Sequence, residues 1–246
     1  MATTTPATTS EGKIPIPSCI PNDPISQAAY HYAKSQLHPL ILQHSIRVYL
    51  YAQTLGSEDL SSLPAISPTT SNMPCLFDTS KPSARLFFLA AIFHDIGTCP
   101  VHDHAQRFEV CGADAAVSFV SSIEAAETNE ITRSDLREIW TAISLHTSPG
   151  LPERMSLLTR LLRIAVKADF GDAQYRGHLQ PKEIEVVEAD FPRGEIEKML
   201  GDCVAKQAEA REDAERATKA PQVSWPWNLL RARLEEPEWE GVNKGF

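Results

Sequence analysis

The apolar residues of this chain recur at helical steps, and nowhere do they alternate as a strand requires. Leu37, Ile41, His44, Val48, Tyr51 and Leu55 follow one another at intervals of 4, 3, 4, 3 and 4, one face of a helix that stops at Gly56. Leu158, Leu162, Ala165 and Asp169 repeat at 4, 3 and 4 on a later helix ending near Gly171. Ser83 stands where a cap belongs for a helix over 84–95, and Val117, Val120 and Ile123 mark another. Leu136, Ile139, Trp140, Ile143 and His146 mark one more, broken by Ser148-Pro149-Gly150. A first helix over 25–37 closes at His38-Pro39, because proline disfavours the helical conformation in the residue before it. With no internal repeat and no convincing strand pair, the expected fold class is all-α.

At 246 residues the chain can bury a substantial core within one domain. Its Thr/Ser/Pro-rich start reads as a flexible tail over 1–24, followed by the main domain over 25–195. Within that domain 57–82 is a Ser/Pro/Thr-rich insertion, long enough to be a loop of its own. A C-terminal helical extension takes 196–246. There 195–219 is expected as one charged, mostly solvated helix with a thin apolar face of Ile196, Met199, Leu200 and Val204, and Trp225-Pro226-Trp227 onward as locally packed, fraying chain. The 32 acidic and 23 basic residues give a net charge of −9, which argues against nucleic acid or an anionic membrane as a partner. Five cysteines (Cys19, Cys75, Cys99, Cys111, Cys203) make an odd number without a CxxC pair, so neither a disulfide framework nor a cysteine zinc ribbon is expected. No run approaches the about 18 to 20 apolar residues of a membrane span, and the first ten residues lack the basic and apolar regions of a signal peptide. The expected compartment is the cytoplasm.

Three helices carry an ionisable residue inside the apolar stripe. His44 falls between Ile41 and Val48, His94 shares a face with Phe87, Ala90 and Ala91, and Asp169 lies one turn beyond Ala165. Asp95 follows His94 directly. A buried carboxylate without a partner costs several kcal/mol, so Asp95 and Asp169 call for compensating charge. One divalent cation would serve both, with the histidines as neutral ligands. Two imidazoles and two carboxylates suit Zn²⁺, and Fe²⁺ or Mn²⁺ as alternatives. Successive helical side chains diverge by about 100°, so a His-Asp ligand pair works only near a helix end, which Gly97 supplies. Each residue taken singly has a plainer role, His44 as a core histidine and Asp169 as a helix cap. Their order H…HD…D is what carries the metal reading.

In Gln43-His44-Ser45-Ile46-Arg47-Val48, Phe93-His94-Asp95-Ile96-Gly97-Thr98 and Lys167-Ala168-Asp169-Phe170-Gly171-Asp172, the chain resembles the HD-domain superfamily of metal-dependent hydrolases over 26–195. The resemblance implies an HD-domain helical bundle with His44, His94, Asp95 and Asp169 as metal ligands. Within the superfamily the chain is most similar to fungal cyanamide hydratases, on HSIRVYLYA from His44, HDIGT from His94, Phe108-Glu109, ISLHT around His146 and Asp190-Phe-Pro-Arg193. That resemblance implies a hydro-lyase: bound Zn²⁺ lowers the pKa of its water from about 15.7 to about 7, and hydroxide adds to the nitrile carbon of cyanamide to give urea.

The competing expectation is a phosphohydrolase acting on a nucleotide or other phosphate ester at the same metal. Many such members carry lysine after HDIG, where this chain has Thr98, although Arg47, Arg107 and Lys167 remain as cations. A third expectation is a non-catalytic scaffold with the same buried polar residues. Asp95, His146 and Thr98 are assigned to catalysis, with His146 near the substrate as a proton shuttle or orienter. His102, His104 and Glu109 are assigned to the substrate pocket. Two-metal members use a further histidine between the HD pair and the position of His146. The helix around 117–123 offers none, so one metal is expected. The partner is a small-molecule substrate, and the amphipathic C-terminal helix is a candidate homo-oligomer interface.

Overall fold

Polar caps and prolines decide where the helices begin. In the computed structural model, which describes residues 16–57, 82–127 and 131–236, α1 (Pro24–Gln36) starts on Asp23, whose carboxylate accepts from the Ser26 amide at 3.0 Å. α2 (Pro39–Leu55) has proline in its first turn and ends at Gly56. Ser83 caps α3 (Ala84–Phe93) through the Leu86 amide. α4 (Phe108–Glu127) follows two 3-10 turns, Ile96–Thr98 and Pro100–His102. α5 (Arg133–Leu145) opens with a capping box of Thr132 and Asp135, and α6 (Leu157–Asp169) starts on Ser156. The short helices α7 (Ala173–Arg176) and α8 (Pro181–Asp190) follow.

No strand occurs among the described residues, and the fold is the all-α bundle that the periodicity predicts. α2 packs between α3 and α6, and α5 packs between α4 and α6. Every residue of α3 from Phe87 to Phe93 is buried, which explains its run of unbroken apolar residues.

The C-terminal extension differs from expectation. In place of one solvated helix over 195–219 there are two, α9 (Ile196–Glu209) and α10 (Asp213–Lys219). Between them the Arg216 guanidinium takes up helix-end carbonyls of Ala208, Glu209 and Arg211 at 3.4, 3.4 and 2.8 Å. Nor is α9 mostly solvated, since Ile196, Leu200, Val204 and Ala205 lie in the same core cluster as α2 and α3. Trp225 begins a regular helix, α11 (Trp225–Glu235), rather than fraying, because Ser224 caps it and Leu229 and Leu230 are buried. The packing is therefore continuous across 195–196. Of the tail expected over 1–24, Ile20 is already in the core, and residues 1–15 lie outside the described residues, as do 58–81 of the insertion.

Candidate metal centre

His44, His94 and Asp95 offer ligand atoms that all lie within 4.8 Å of one another, the one such group of three among the described residues. Each arrives by a different route. His44 sits mid-helix on α2 and points inward because its neighbours in the stripe do. His94 is the last, capping residue of α3, and Asp95 has left the helix (φ −105°, ψ 6°). That departure lets two adjacent residues face one point. Thr98 holds the turn by donating its hydroxyl to the Asp95 carbonyl at 2.7 Å. His146 caps α5 in the same way that His94 caps α3.

The hydrogen bonds assign the tautomers. Nδ1 of His44 lies 2.6 Å from Asp169 Oδ2, Nδ1 of His94 2.6 Å from the Ala91 carbonyl, and Nδ1 of His146 2.6 Å from the Ile143 carbonyl. All three partners are acceptors, so each Nδ1 carries the proton and each Nε2 presents a lone pair. Those lone pairs converge. His44 Nε2 and His94 Nε2 are 3.2 Å apart. Asp95 Oδ2 is 3.1 Å from His94 Nε2 and 3.5 Å from His44 Nε2, and Asp95 Oδ1 is 3.6 Å from His146 Nε2. Neither Asp95 oxygen has a hydrogen bond, although the residue is fully buried.

A pocket of acceptors with no donor repels itself unless a cation enters. The His44, His94 and Asp95 ligand atoms are spaced 3.1, 3.2 and 3.5 Å apart, which matches the edge of about 3.3 Å of a tetrahedron with ligand bonds of about 2.0–2.1 Å. The residues present therefore fit a divalent ion held by two imidazoles and one carboxylate. Burial alone would push the Asp95 carboxyl up. Positive charge at His94, His146 and His44 outweighs burial and holds it ionised, below the usual carboxylate range, the effect that a bound cation would exert with the imidazoles neutral. Burial lowers the His44 imidazole, keeping it neutral as a ligand must be. Burial acts likewise on His94, but the charge of Asp95 outweighs it and raises that imidazole.

Asp169 is brought to the centre but stands behind His44. Its Oδ1 accepts from Arg47 Nε at 2.8 Å and from Arg193 Nη1 at 3.2 Å, and its Oδ2 accepts from Arg47 Nη2 at 2.8 Å as well as from His44. Arg193 also donates to the Asp169 carbonyl. Arg47 Nη1 reaches the Phe191 and Pro192 carbonyls at 3.0 and 3.1 Å, so the Asp190-Phe-Pro-Arg193 stretch is tied to α2. Burial works against ionisation of Asp169 also, and Arg47 and His44 overcome it.

The other residues assigned to function divide. Glu109 is fully buried, and both its oxygens are taken: Arg107 binds them at 2.6 and 2.9 Å, and Thr147 donates to Oε1. It braces the chain beside His146, whose carbonyl accepts from Arg163 at 2.9 Å and whose ring meets the Phe108 ring edge-on. His102 and His104 are not brought to the metal centre. They line a separate cleft of about 470 Å³ with Tyr32, Cys111, Asp114 and Phe119, and His102 Nε2 bonds the Tyr32 hydroxyl at 2.8 Å. Their segment is tied down by Asp103, which pairs with Lys219 at 2.6 Å and Arg211 at 2.9 Å. The sequence reading missed the clamp of Arg47 on Asp169. Its one signal was position, three residues after His44 on the buried face. It also missed Gln207 of α9, which donates to the Gly97 carbonyl at 2.9 Å.

A helical bundle in which a mid-helix histidine meets a His-Asp pair at a helix end is the architecture of a metal-dependent hydrolase. The family model described as HD domain matches residues 41–173, over half of the chain, and the chain belongs to the HD-domain family. No curated protein matches it. No helix among the described residues is long and apolar enough to cross a membrane.

Proposed function

We propose that this member of the family hydrates a small uncharged nitrile, cyanamide being the concrete candidate, using one Zn²⁺ at His44, His94 and Asp95. The observation that carries the reading is the pairing of every basic side chain described at the centre. Arg47 is spent on Asp169 and two carbonyls, Arg107 on Glu109, Arg163 on the His146 carbonyl and Glu153, and Arg193 on Asp169 and Glu197. Lys167 is paired with Asp172. A phosphate ester would need at least one of these cations to abandon a carboxylate. A neutral nitrile needs none of them. The complete burial of His44, His94 and Asp95 also favours a small substrate over a nucleotide.

A divalent ion in this pocket supplies Lewis acidity and a water acidic enough to react near neutral pH. The chain's own groups do the rest. His146 Nε2, whose lone pair faces the pocket 3.6 Å from Asp95 Oδ1, accepts a proton from the attacking water as its oxygen bonds to the nitrile carbon. It returns that proton to the nitrile nitrogen as the C≡N bond loses one π pair. The product isourea tautomerises to urea, and no group leaves. Thr98 keeps Asp95 in place through its backbone bond, and Glu109 braces the segment of His146.

The second reading, phosphate-ester hydrolysis, draws support from the hydrolase class of the family. One experiment separates the two. Zinc-loaded full-length protein is assayed for urea from cyanamide and for inorganic phosphate from a nucleoside monophosphate, with His94→Ala as control. Urea formation that His94→Ala abolishes supports the proposal. Phosphate release without urea replaces it with the second reading.

A further inference from the structure

We infer that Gln207 of α9 is a substrate-binding residue, its side-chain carbonyl accepting a hydrogen bond from the amino group that a small aminonitrile carries beside C≡N. The inference rests on the proposed hydration of cyanamide, and it names the group that tells that substrate from a plain alkyl nitrile.

The amide of Gln207 is oriented by its one bond. Nε2 donates to the Gly97 carbonyl at 2.9 Å. A carbonyl only accepts, so the amide nitrogen stands there and the oxygen takes the other branch. Gln207 is 8% exposed, and its Oε1 is buried without a hydrogen-bond partner. Buried polar groups in folded proteins are nearly all paired, so this oxygen calls for a donor from outside the chain.

Its surroundings say which donor. Gly97 lies two residues after Asp95, in the turn Ile96–Thr98 that follows the His-Asp pair. α9 packs against that turn and also against α2, the helix of His44. Cys203 stands one turn before Gln207 on the same face of α9. Burial pushes its thiol up against the pull of Lys206, and the charges of Asp202 and Asp95 add to it. The face that carries Cys203 and Gln207 is therefore turned towards the metal centre, between the segments that bring His44 and Asp95. There the Asp95 oxygens serve the cation, and those of Glu109 are taken by Arg107 and Thr147. The Gln207 carbonyl is left for the substrate.

The amino group of cyanamide has two N–H bonds, and its lone pair is drawn into the C≡N bond, so it donates and does not accept. A site that hydrogen-bonds a substrate N–H rejects the isostere lacking it, because the buried acceptor then stays unpaired. Acetonitrile, with CH₃ in place of NH₂, is that isostere.

The test uses zinc-loaded full-length protein and its Gln207→Met variant, with acetonitrile as a competitive inhibitor of urea formation from cyanamide. Methionine is as long and unbranched but has no carbonyl. Gln207→Met raises KM for cyanamide about 2- to 12-fold, the worth of one neutral hydrogen bond, and leaves Ki for acetonitrile unchanged. Zinc stays at one ion per chain. Loss of the bond to Gly97 by itself would move both ligands alike, because it acts through the turn of Asp95. Equal shifts for the two ligands, or an unchanged KM, overturn the inference and leave the proposed function standing. No urea from the wild type overturns the proposed function, and this inference with it. Should the variant fail to fold, or acetonitrile fail to inhibit, a crystal structure of the wild type with urea decides, since the product carries the same N–H donors. A urea nitrogen at about 2.7–3.2 Å from Oε1 supports the inference, and an Oε1 turned to its own chain or to water overturns it.

Discussion

Gly97→Ala probes the packing that lets His94 and Asp95 leave α3 together. A Cβ at Gly97 would lie 2.0 Å from the Phe108 carbonyl oxygen and 2.9 Å from both the Phe108 carbonyl carbon and the Gly112 nitrogen. Close C···O approaches between packed backbones are about 3.3 Å, so the 3-10 turn and α4 must part by about 1.3 Å. All three obstacles are backbone of α4, and none can rotate aside. Overpacking costs about 1–3 kcal/mol in general, and a clash against helix backbone belongs at the upper end, about 3 kcal/mol. For a chain of this size that lowers Tm by about 6–12 °C. The displaced segment carries Asp95, whose Oδ2 is 3.1 Å from His94 Nε2, so zinc affinity falls with stability. Gly171→Ala is the control: nothing lies within 4 Å of its Cβ, and only its φ of +82° is unfavourable. That strain is about 1–2 kcal/mol, and the zinc stays. Thermal unfolding and zinc stoichiometry of both variants settle the matter. A Gly97→Ala protein that melts no lower than Gly171→Ala and retains its zinc refutes the close approach of the turn to α4.

Two further outcomes follow from the buried groups. Chelation of the ion should lower Tm, because a ligand present at 100 times its Kd contributes about 2.7 kcal/mol to the folded state; an unchanged melting curve would mean that the acceptor pocket is not where the ion binds. Burial, reinforced by nearby Cys19 and Asp23 for Tyr49 and by Asp169 and Glu188 for Tyr51, pushes both phenols up to about 12. The unfolded value is about 10, so the folded state holds these protons more tightly. Their stabilisation is complete below pH about 10 and is lost as the pH rises towards about 12, on the order of 2 kcal/mol each. Ultraviolet titration should show these tyrosinates only as the chain unfolds, and their early ionisation in folded protein would contradict the burial.

Helix existence was legible wherever one face repeats at 3.6 residues. α2 and α6 illustrate it, and the caps Ser83 and Gly56 were readable as residue types with a backbone task. The break between α9 and α10 was not, because 195–219 is rich in helix formers throughout. What ends α9 is Arg216 folding back on its carbonyls, a contact that composition does not encode. The buried role of α9 was hidden for a related reason: its apolar face is narrow, and Ala205, Ala208 and Gln207 complete it only once another helix lies against them.

The candidate site shows the same division residue by residue. Order along the chain proposes His44, His94, Asp95 and Asp169 as a set, since imidazoles and carboxylates inside apolar stripes must be paid for by a charge. It says nothing of direction. His102 and His104 are as metal-like in sequence as any of these, and Glu109 as acidic, yet the cleft beside Tyr32 takes the first two and Arg107 with Thr147 takes the third. Periodicity is local, a matter of backbone geometry over a few turns, and so the chain by itself determined that it would be helical and, on α2 and α6, which face would be buried. Which nitrogen of His44 faces the pocket, which carboxylate is left without donors and which arginine is consumed depend on side chains 122 to 125 residues apart meeting in one low-dielectric space. Only the packed bundle decides that, because only there does desolvation make an unmatched partner costly.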